Sequence, residues 1–414
     1  MNITGIIAEY NPFHKGHAYQ IAKARELTGA DYIVVAMSGN FVQRGAPAVT
    51  DKFVRTEMAL KDGADAVFEL PALWATAAAP DFAAGGCTLL DRLGCTHISY
   101  GCETEEPETL CSLAKILAGE PKDLSLSLKK YQREGASFPL AMEHALFDYL
   151  KHNPHALTHT PEEIHGFFSS PNNILALEYQ KNICRRQAKL IPCPILRKGC
   201  GYHDSVLAAE FSSATGIRQA LFSGEKFSPE EHMPKNAADL LPPKQNLLRE
   251  DDFSQMLYYK LLSEASDGFE KYMGSSPFLS NRIKNKLDSF QSYTDFCELL
   301  KTKEVTYGKI SRLLLHILLN FTEADACLGK NLDYIPYFRL LGFRRLAAPL
   351  LKILKEQGNT PIITKPAAAK ALLSSEAFQI YEKDIFSSNL YYGIQVQKGQ
   401  HTIKNEYRKS LVIL

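Results

Sequence analysis

Cysteine pairs, net charge and long apolar runs are what this chain has least of. Its nine cysteines include no Cys-x-x-Cys pair, so neither a disulfide framework nor a zinc knuckle is expected. The nearest thing to a ligand set, Cys193, Cys200 and His203, has a spacing unlike zinc-finger patterns, and no metal site is assigned. The 47 basic and 46 acidic residues leave a net charge of +1, so any contact with nucleic acid must come from a local patch. No apolar run reaches the length of a membrane span, and the first one starts too early and is too short for a signal peptide; the expected location is the cytoplasm. Repeats and low-complexity tracts are absent too. With 414 residues and 45% hydrophobic content, the chain can bury the cores of two or three domains.

What is there is concentrated at the start. Ile3-Thr4-Gly5-Ile6-Ile7-Ala8 reads as a short strand that runs through Glu9-Tyr10-Asn11-Pro12-Phe13 into His14-Lys15-Gly16-His17 and a helix. A strand, a proline turn and a helix start gather backbone N–H groups and the positive end of the helix dipole in one place, the physical basis of a phosphate site. His14 and His17 are three residues apart, which on an opening turn puts both on one side. Gly16 removes a Cβ where a nucleotide approaches. Imidazoles there can donate hydrogen bonds to a phosphate whose charge grows in the transition state. Two polar residues capping a helix are the plain alternative.

Strand-like and helical stretches alternate as far as residue 103. Strands are expected at 31–37, 64–70 and 95–100, with helices near 17–28, 51–62 and 81–93, the first two capped by Gly29 and Gly63. That rhythm predicts a doubly wound parallel sheet of the Rossmann-like α/β class, with ligands outside the carboxyl ends of the strands. Ser38 to Gly45 and Gly101-Cys102-Glu103 are the loops expected there. Residues 104–160 read as a helical insertion. Ser169-Ser170-Pro171-Asn172-Asn173 starts another helix, with the asparagines as caps or as contacts to an adenine edge or phosphate. Residues 191–197 form a fifth expected strand, leading to Arg197-Lys198-Gly199-Cys200-Gly201-Tyr202-His203-Asp204. Phe211-Ser212-Ser213-Ala214-Thr215-Gly216-Ile217-Arg218 then offers three hydroxyls and an arginine at a helix start, suited to β- and γ-phosphates.

A catalytic domain is therefore expected over 1–224, a proline-rich linker over 225–246 and a mainly helical domain over 247–414. In the last of these, Arg282, Lys284, Lys309, Arg312, Arg339, Arg344 and Arg345 are candidates for a basic face that follows an RNA backbone, with aromatics nearby for stacking. Solvated helix faces are the alternative reading.

The opening string resembles the His-x-Gly-His signature of the nucleotidyltransferase superfamily, and its longer form resembles the bacterial tRNA(Met) cytidine acetate ligases. Met37-Ser38-Gly39-Asn40-Phe41-Val42-Gln43-Arg44-Gly45, Glu69-Leu70-Pro71, Pro171-Asn172-Asn173-Ile174-Leu175, Gly201-Tyr202-His203-Asp204 and the Ser-Ala-Thr-x-Ile-Arg of 213–218 extend the likeness in order along the chain. The resemblance implies that ATP and acetate form acetyl-adenylate and pyrophosphate, and that the acetyl group passes to the exocyclic amine of the wobble cytidine of elongator tRNA(Met), giving N4-acetylcytidine. It implies ATP contacts from Ile7, Ala8, Glu9, Tyr10, Asn11, Pro12, Phe13, His14, Lys15, Gly16, His17, Ala18, Tyr19 and Gln20, and from Gly101, Asn172 or Asn173, Arg197, Ser213 and Thr215. His14, His17 and Arg218 would be catalytic, and magnesium would accompany ATP. Lys15, Cys102 and Gly216 depart from the expected small polar residue, serine and alanine; Lys15 would add a cation near the phosphates. An adenylyltransferase acting on a small phosphorylated acceptor and a non-catalytic RNA-binding scaffold stay open as alternatives.

Overall fold

The structure, a computed structural model, describes residues 1–104, 107–134, 136, 138–156, 167–197, 211–223, 227–399 and 405–414. Lys198 to Asp204, with Cys200 and His203, lies outside the described residues. In chain order the strands are β1 (Ile3–Ala8), β2 (Tyr32–Ser38), β3 (Phe41–Val42), β4 (Ala46–Pro47), β5 (Ala66–Leu70), β6 (His97–Cys102), β7 (Ile191–Leu196), β8 (Phe338–Phe343), β9 (Ile362–Ile363) and β10 (Val412–Ile413). One sheet runs β10-β8-β5-β2-β1-β6-β7, with β9 also on β8, while β3 and β4 pair as a separate hairpin.

From β5 to β7 every pairing is parallel, which bears out the doubly wound expectation. The chain leaves β1 for β2 and β5 on one side, then returns to β6 and β7 on the other. Strand order thus reverses between β1 and β6, and a crevice opens there at the carboxyl ends. Side chains of β2 alternate as a doubly covered strand requires. Ile33, Val35 and Met37 enter a core with Ile21 and Met58, from the helices Lys15–Thr28 and Lys52–Lys61. Val34 and Ala36 enter the opposite core with Leu89 and Leu90 of the Ala79–Arg92 helix.

Local expectations need small corrections. Gly29 caps the first helix at φ 59°, but the second is capped by Asp62, with Gly63 following at φ 110°. Gly101 and Cys102 belong to β6 itself, because pairing with Ile195 and Leu196 extends that strand. Ser170, not an asparagine, caps the Pro171–Arg186 helix. Residues 104–160 contribute the helices Pro107–Ala118, Lys122–Arg133 and Phe138–His152.

The expected boundary near 225–246 does not divide the core. Within it, the short helices Pro229–His232 and Lys235–Ala238 bury His232, Met233 and Ala237 against the first half. Beyond it, β8 joins the sheet antiparallel to β5, and β10 joins β8. A single apolar cluster runs from Ile3 through the helical half to Ile394.

Arg339 corrects the basic-face expectation. It lies on β8 opposite Glu69, is 1% exposed, and donates to Glu406 Oε1 at 3.1 Å and to the carbonyl oxygens of Leu340, Ile363 and Thr364. A β-strand alternates, and this register turns the arginine inward. Arg282 donates to the carbonyls of Leu299, Leu300 and Lys301 at the end of a helix, and Arg344 pairs with Asp65 at 3.6 Å. Arg312 is half-buried, whereas Lys284, Lys309 and Arg345 are exposed.

Candidate active site

The sheet delivers β1 to the crevice, and the chain then turns sharply. Tyr10 takes φ 49° and is fully buried, its ring edge-on to Phe13 and His17 at 4.8 Å from each. Asn11 Oδ1 accepts from Val49 N at 2.8 Å, and the Asn11–Pro12 bond is cis. These anchors present the helix start at Lys15 to the crevice.

His14 is the N-cap. Its Nδ1 accepts from Gly16 N at 3.1 Å, and His17 Nδ1 in turn accepts from His14 N at 3.2 Å. A neutral imidazole that accepts at Nδ1 carries its proton on Nε2. Both rings, stacked 3.6 Å apart, therefore present Nε2–H as donor. Burial, reinforced by Arg197 and Arg218, lowers the His14 pKa to about 3; burial, then His14 and Arg197, hold His17 well below the ordinary value. Gly16 has a second reason to be glycine: a Cβ there would sit 2.9 Å from His14 Cε1 and push the ring out of its cap.

Opposite stands the Ala214–Phe222 helix. Ser213 caps it by accepting from Gly216 N at 3.0 Å, as expected. Arg218 reaches back to the motif turn, donating to Asn11 O at 2.7 Å and to Thr215 Oγ1 at 3.0 Å. On the β6 side, Arg197 N bonds Cys102 O at 2.9 Å and its side chain lies across Gly101, 3.2 Å from where a Cβ would be. A Cβ at 101 would press on the Arg197 stem, which would have to give by a few tenths of an ångström. Asn172 donates to Glu103 Oε1 at 2.5 Å.

These groups surround one cavity of about 210 Å³. Of the residues expected to meet ATP, Ile7, Ala8, Glu9, Tyr10, Asn11, His14, Gly16, His17, Tyr19, Gln20, Gly101, Asn172, Arg197, Ser213 and Thr215 line it, as does Arg218. The others stand behind it. Phe13 is buried in the core and Ala18 packs against that core; Pro12 forms the turn. Asn173 is buried and its Oδ1 accepts from Glu103 N at 2.9 Å. Lys15 turns away and donates to Glu231 O at 2.6 Å, so it is not the additional phosphate cation expected of it.

Arg44, from the β3–β4 turn within the Ser38–Gly45 loop expected at this edge, lines the cavity, and so do Phe82 and Tyr179 from flanking helices, which no motif marks. Arg55 lies beneath it, fully buried, donating to the carbonyls of Glu9 at 2.6 Å, Ser38 at 3.0 Å and Thr50 at 3.1 Å, and to that of Gly39. It ties the ends of β1 and β2 together. His232 bonds Ser212 at 2.9 Å from the supposed linker.

A doubly wound sheet with paired histidines at the first helix start and an arginine-bearing helix across the crevice defines a His-x-Gly-His nucleotidyltransferase. Residues 1–406 match the family model described as HIGH Nucleotidyl Transferase. The tRNA(Met) cytidine acetate ligase of Thermoanaerobacter sp. strain X514 is 36% identical over 404 residues, covering 94% of this chain and 95% of the relative. That of Clostridium kluyveri is 37% identical over 401 residues, covering 95% and 97%. The crystal structures of Thermotoga maritima TmcAL, apo and bound with alpha-thio ATP, superpose with TM-scores of 0.92 and 0.90 at 29% identity, covering all of both chains. The chain belongs to the tRNA(Met) cytidine acetate ligases of the HIGH nucleotidyltransferase family.

Proposed function

We propose that this protein is an ATP-dependent ligase that activates acetate as acetyl-adenylate and passes the acetyl group to the exocyclic amine of the wobble cytidine of elongator tRNA(Met). The single observation that carries the reading is the reciprocal cap of His14 and His17, which leaves two neutral Nε2–H donors on the wall of the crevice.

In the first step an acetate oxygen attacks the α-phosphorus of ATP, the bond to the β-phosphate bridging oxygen breaks, and pyrophosphate leaves. Acetate arrives ionised, so no base is required, and neutral histidines suit the step. Their Nε2–H groups strengthen hydrogen bonds to the α-phosphate as its charge grows. Ser213, Thr215 and Arg218 face the departing pyrophosphate, and Gly101, Arg197 and Asn172 hold the nucleoside. In the second step the cytidine amine attacks the acetyl carbonyl carbon, the acyl–oxygen bond breaks, AMP leaves, and the amine gives up a proton to water.

Magnesium would arrive on the phosphates. Among the described residues no group of three or more His, Cys, Asp or Glu side chains forms a metal cage, and Glu9 is the carboxylate on the cavity wall, so phosphate oxygens and water would supply most of its ligands. Of the basic candidates, Lys284, Lys309 and Arg345 are exposed and remain suited to an RNA backbone. No helix among the described residues is long and apolar enough to cross a membrane, and a reaction that consumes ATP and tRNA belongs in the cytoplasm.

ATP–pyrophosphate exchange with and without acetate, followed by addition of tRNA(Met) transcript, tests the proposal. Exchange that requires acetate, with label then moving to the tRNA, is the expected outcome. Exchange that instead requires a phosphorylated small molecule would replace the ligase by an adenylyltransferase, and absence of ATP binding would leave an RNA-binding scaffold.

A further inference from the structure

We infer that Arg44 is the residue that receives the carboxylate of the acyl substrate, against an apolar wall made by Phe82, Leu175 and Tyr179. The inference rests on the ligase reading above and concerns the one substrate for which that reading has no pocket.

Three cations line the cavity among the described residues: Arg44, Arg197 and Arg218. Two of them stand where the nucleotide is expected. Arg197 lies along Gly101 beside β6, and Arg218 is bonded to the motif turn and to Thr215 at the helix start that suits the leaving phosphates. Displacement at phosphorus requires the attacking oxygen to enter opposite the leaving group. Besides the groups expected to meet ATP, the lining includes Gln43 and Arg44 with the apolar surfaces of Phe82, Leu175 and Tyr179. These residues offer one guanidinium and several apolar surfaces. A short carboxylate has the matching form, a charge at one end and a methyl group at the other.

Acetate must also approach an anionic phosphate beside the Glu9 carboxylate, so a fixed cation has to offset the repulsion. The backbone on both sides of Arg44 is pinned. Gln43 N donates to Glu9 Oε1 at 2.9 Å. Gly45 adopts φ 82°, its N–H donates to Val42 O at 3.0 Å, and its carbonyl accepts from Tyr293 Oη at 3.0 Å and Ser311 Oγ at 2.9 Å. Gly45 also lies so close to the Tyr307–Leu319 helix that a Cβ would stand 2.4 Å from Arg312 N. The helical half thereby sets the position of the arginine in the catalytic crevice, which costs little entropy at the moment of binding.

The test is the KM for acetate and the KM for ATP in acetate-dependent ATP–pyrophosphate exchange, with the affinity for an ATP analogue measured by calorimetry as a check on folding. For Arg44→Gln the KM for acetate should rise about 10- to 100-fold, the range expected for one charge-assisted hydrogen bond, while KM and affinity for ATP stay within about twofold. Arg44→Lys should fall between, and added guanidinium should restore exchange to Arg44→Gly. A KM for acetate within about twofold of wild type, an equal loss of ATP affinity, or a defect confined to transfer onto tRNA would each overturn the assignment. Lack of acetate-dependent exchange in the wild-type protein would instead remove the ligase reading itself.

Discussion

His14 and His17 hold one another: the backbone N–H of His14 donates to Nδ1 of His17 at 3.2 Å, and the two rings stack at 3.6 Å. The helix cap and the proposed donors thus sit on the same two rings. Each ring spends Nδ1 on the backbone and keeps Nε2–H for the substrate. His17→Ala should lower acetate-dependent ATP–pyrophosphate exchange by about 10²–10³-fold, the loss typical of removing one oriented donor. Affinity for an ATP analogue and for tRNA should change far less. Exchange at the wild-type rate would take the pair out of the mechanism.

Burial also sets a pH dependence. With the His14 pKa lowered to about 3, chiefly by burial, and that of His17 lowered well below 6.5, the unfolded chain binds protons that the folded one refuses. Stability from this source is complete above about pH 6.5 and declines as pH falls toward the folded values, by about 1.4 kcal/mol per pH unit for each such histidine. His316, lowered to about 4 mainly by burial, adds to the same slope. Urea denaturation between pH 7 and pH 5 should show the decline, and a His14→Gln variant should have a shallower slope. A flat profile would contradict neutral histidines.

Much of this was legible because it is local. A strand, a proline turn and His-x-Gly-His are contiguous, and alternation of β and α over 1–103 identifies the sheet. Gly29 and Ser213 cap where a short-range rule puts them. What was not legible depends on distant pairing. Arg339 looks like any surface cation until β8 is laid against β5 and its register faces Glu69. Lys15 sits inside the motif, yet its ammonium group meets a carbonyl 216 residues away. Arg44 lies in a loop expected at the strand ends, but its placement comes from a hairpin seated on a helix; Arg55 carries no motif, and its role comes from carbonyls at two strand ends.

Exposure separates the basic candidates in a measurable way. Lys284, Lys309 and Arg345 reach solvent, while Arg339 does not. Replacing the three exposed residues by alanine should weaken tRNA binding, and the slope of log affinity against log salt should shrink by about 0.7–0.9 for each phosphate that is no longer neutralised. Thermal stability should stay near wild type. Arg339→Ala should do the reverse, lowering stability with an unchanged salt slope. Equal salt slopes for wild type and the triple variant would move the RNA surface elsewhere.

Lys52 and Glu406 meet at 3.1 Å, both 1% exposed, across almost the whole length of the chain. Lys52 also holds Glu69 Oε2 at 2.7 Å, and Glu406 also accepts from Arg339. Charges buried this deeply are tolerable only as a complete set, and removing one partner typically costs about 3–5 kcal/mol by leaving its counterpart unpaired. Glu406→Ala should therefore lower the unfolding midpoint strongly, although the residue lies far from the crevice in sequence. Because β8 and β10 complete the same sheet as β1, which leads into His14, the loss should be felt by the first half as well. Denaturation followed by far-ultraviolet circular dichroism and by ATP-analogue binding should give one coincident transition in both wild type and variant. Two separated transitions would show that the halves fold independently, and the expected boundary at 225–246 would then divide the chain thermodynamically even though the sheet crosses it.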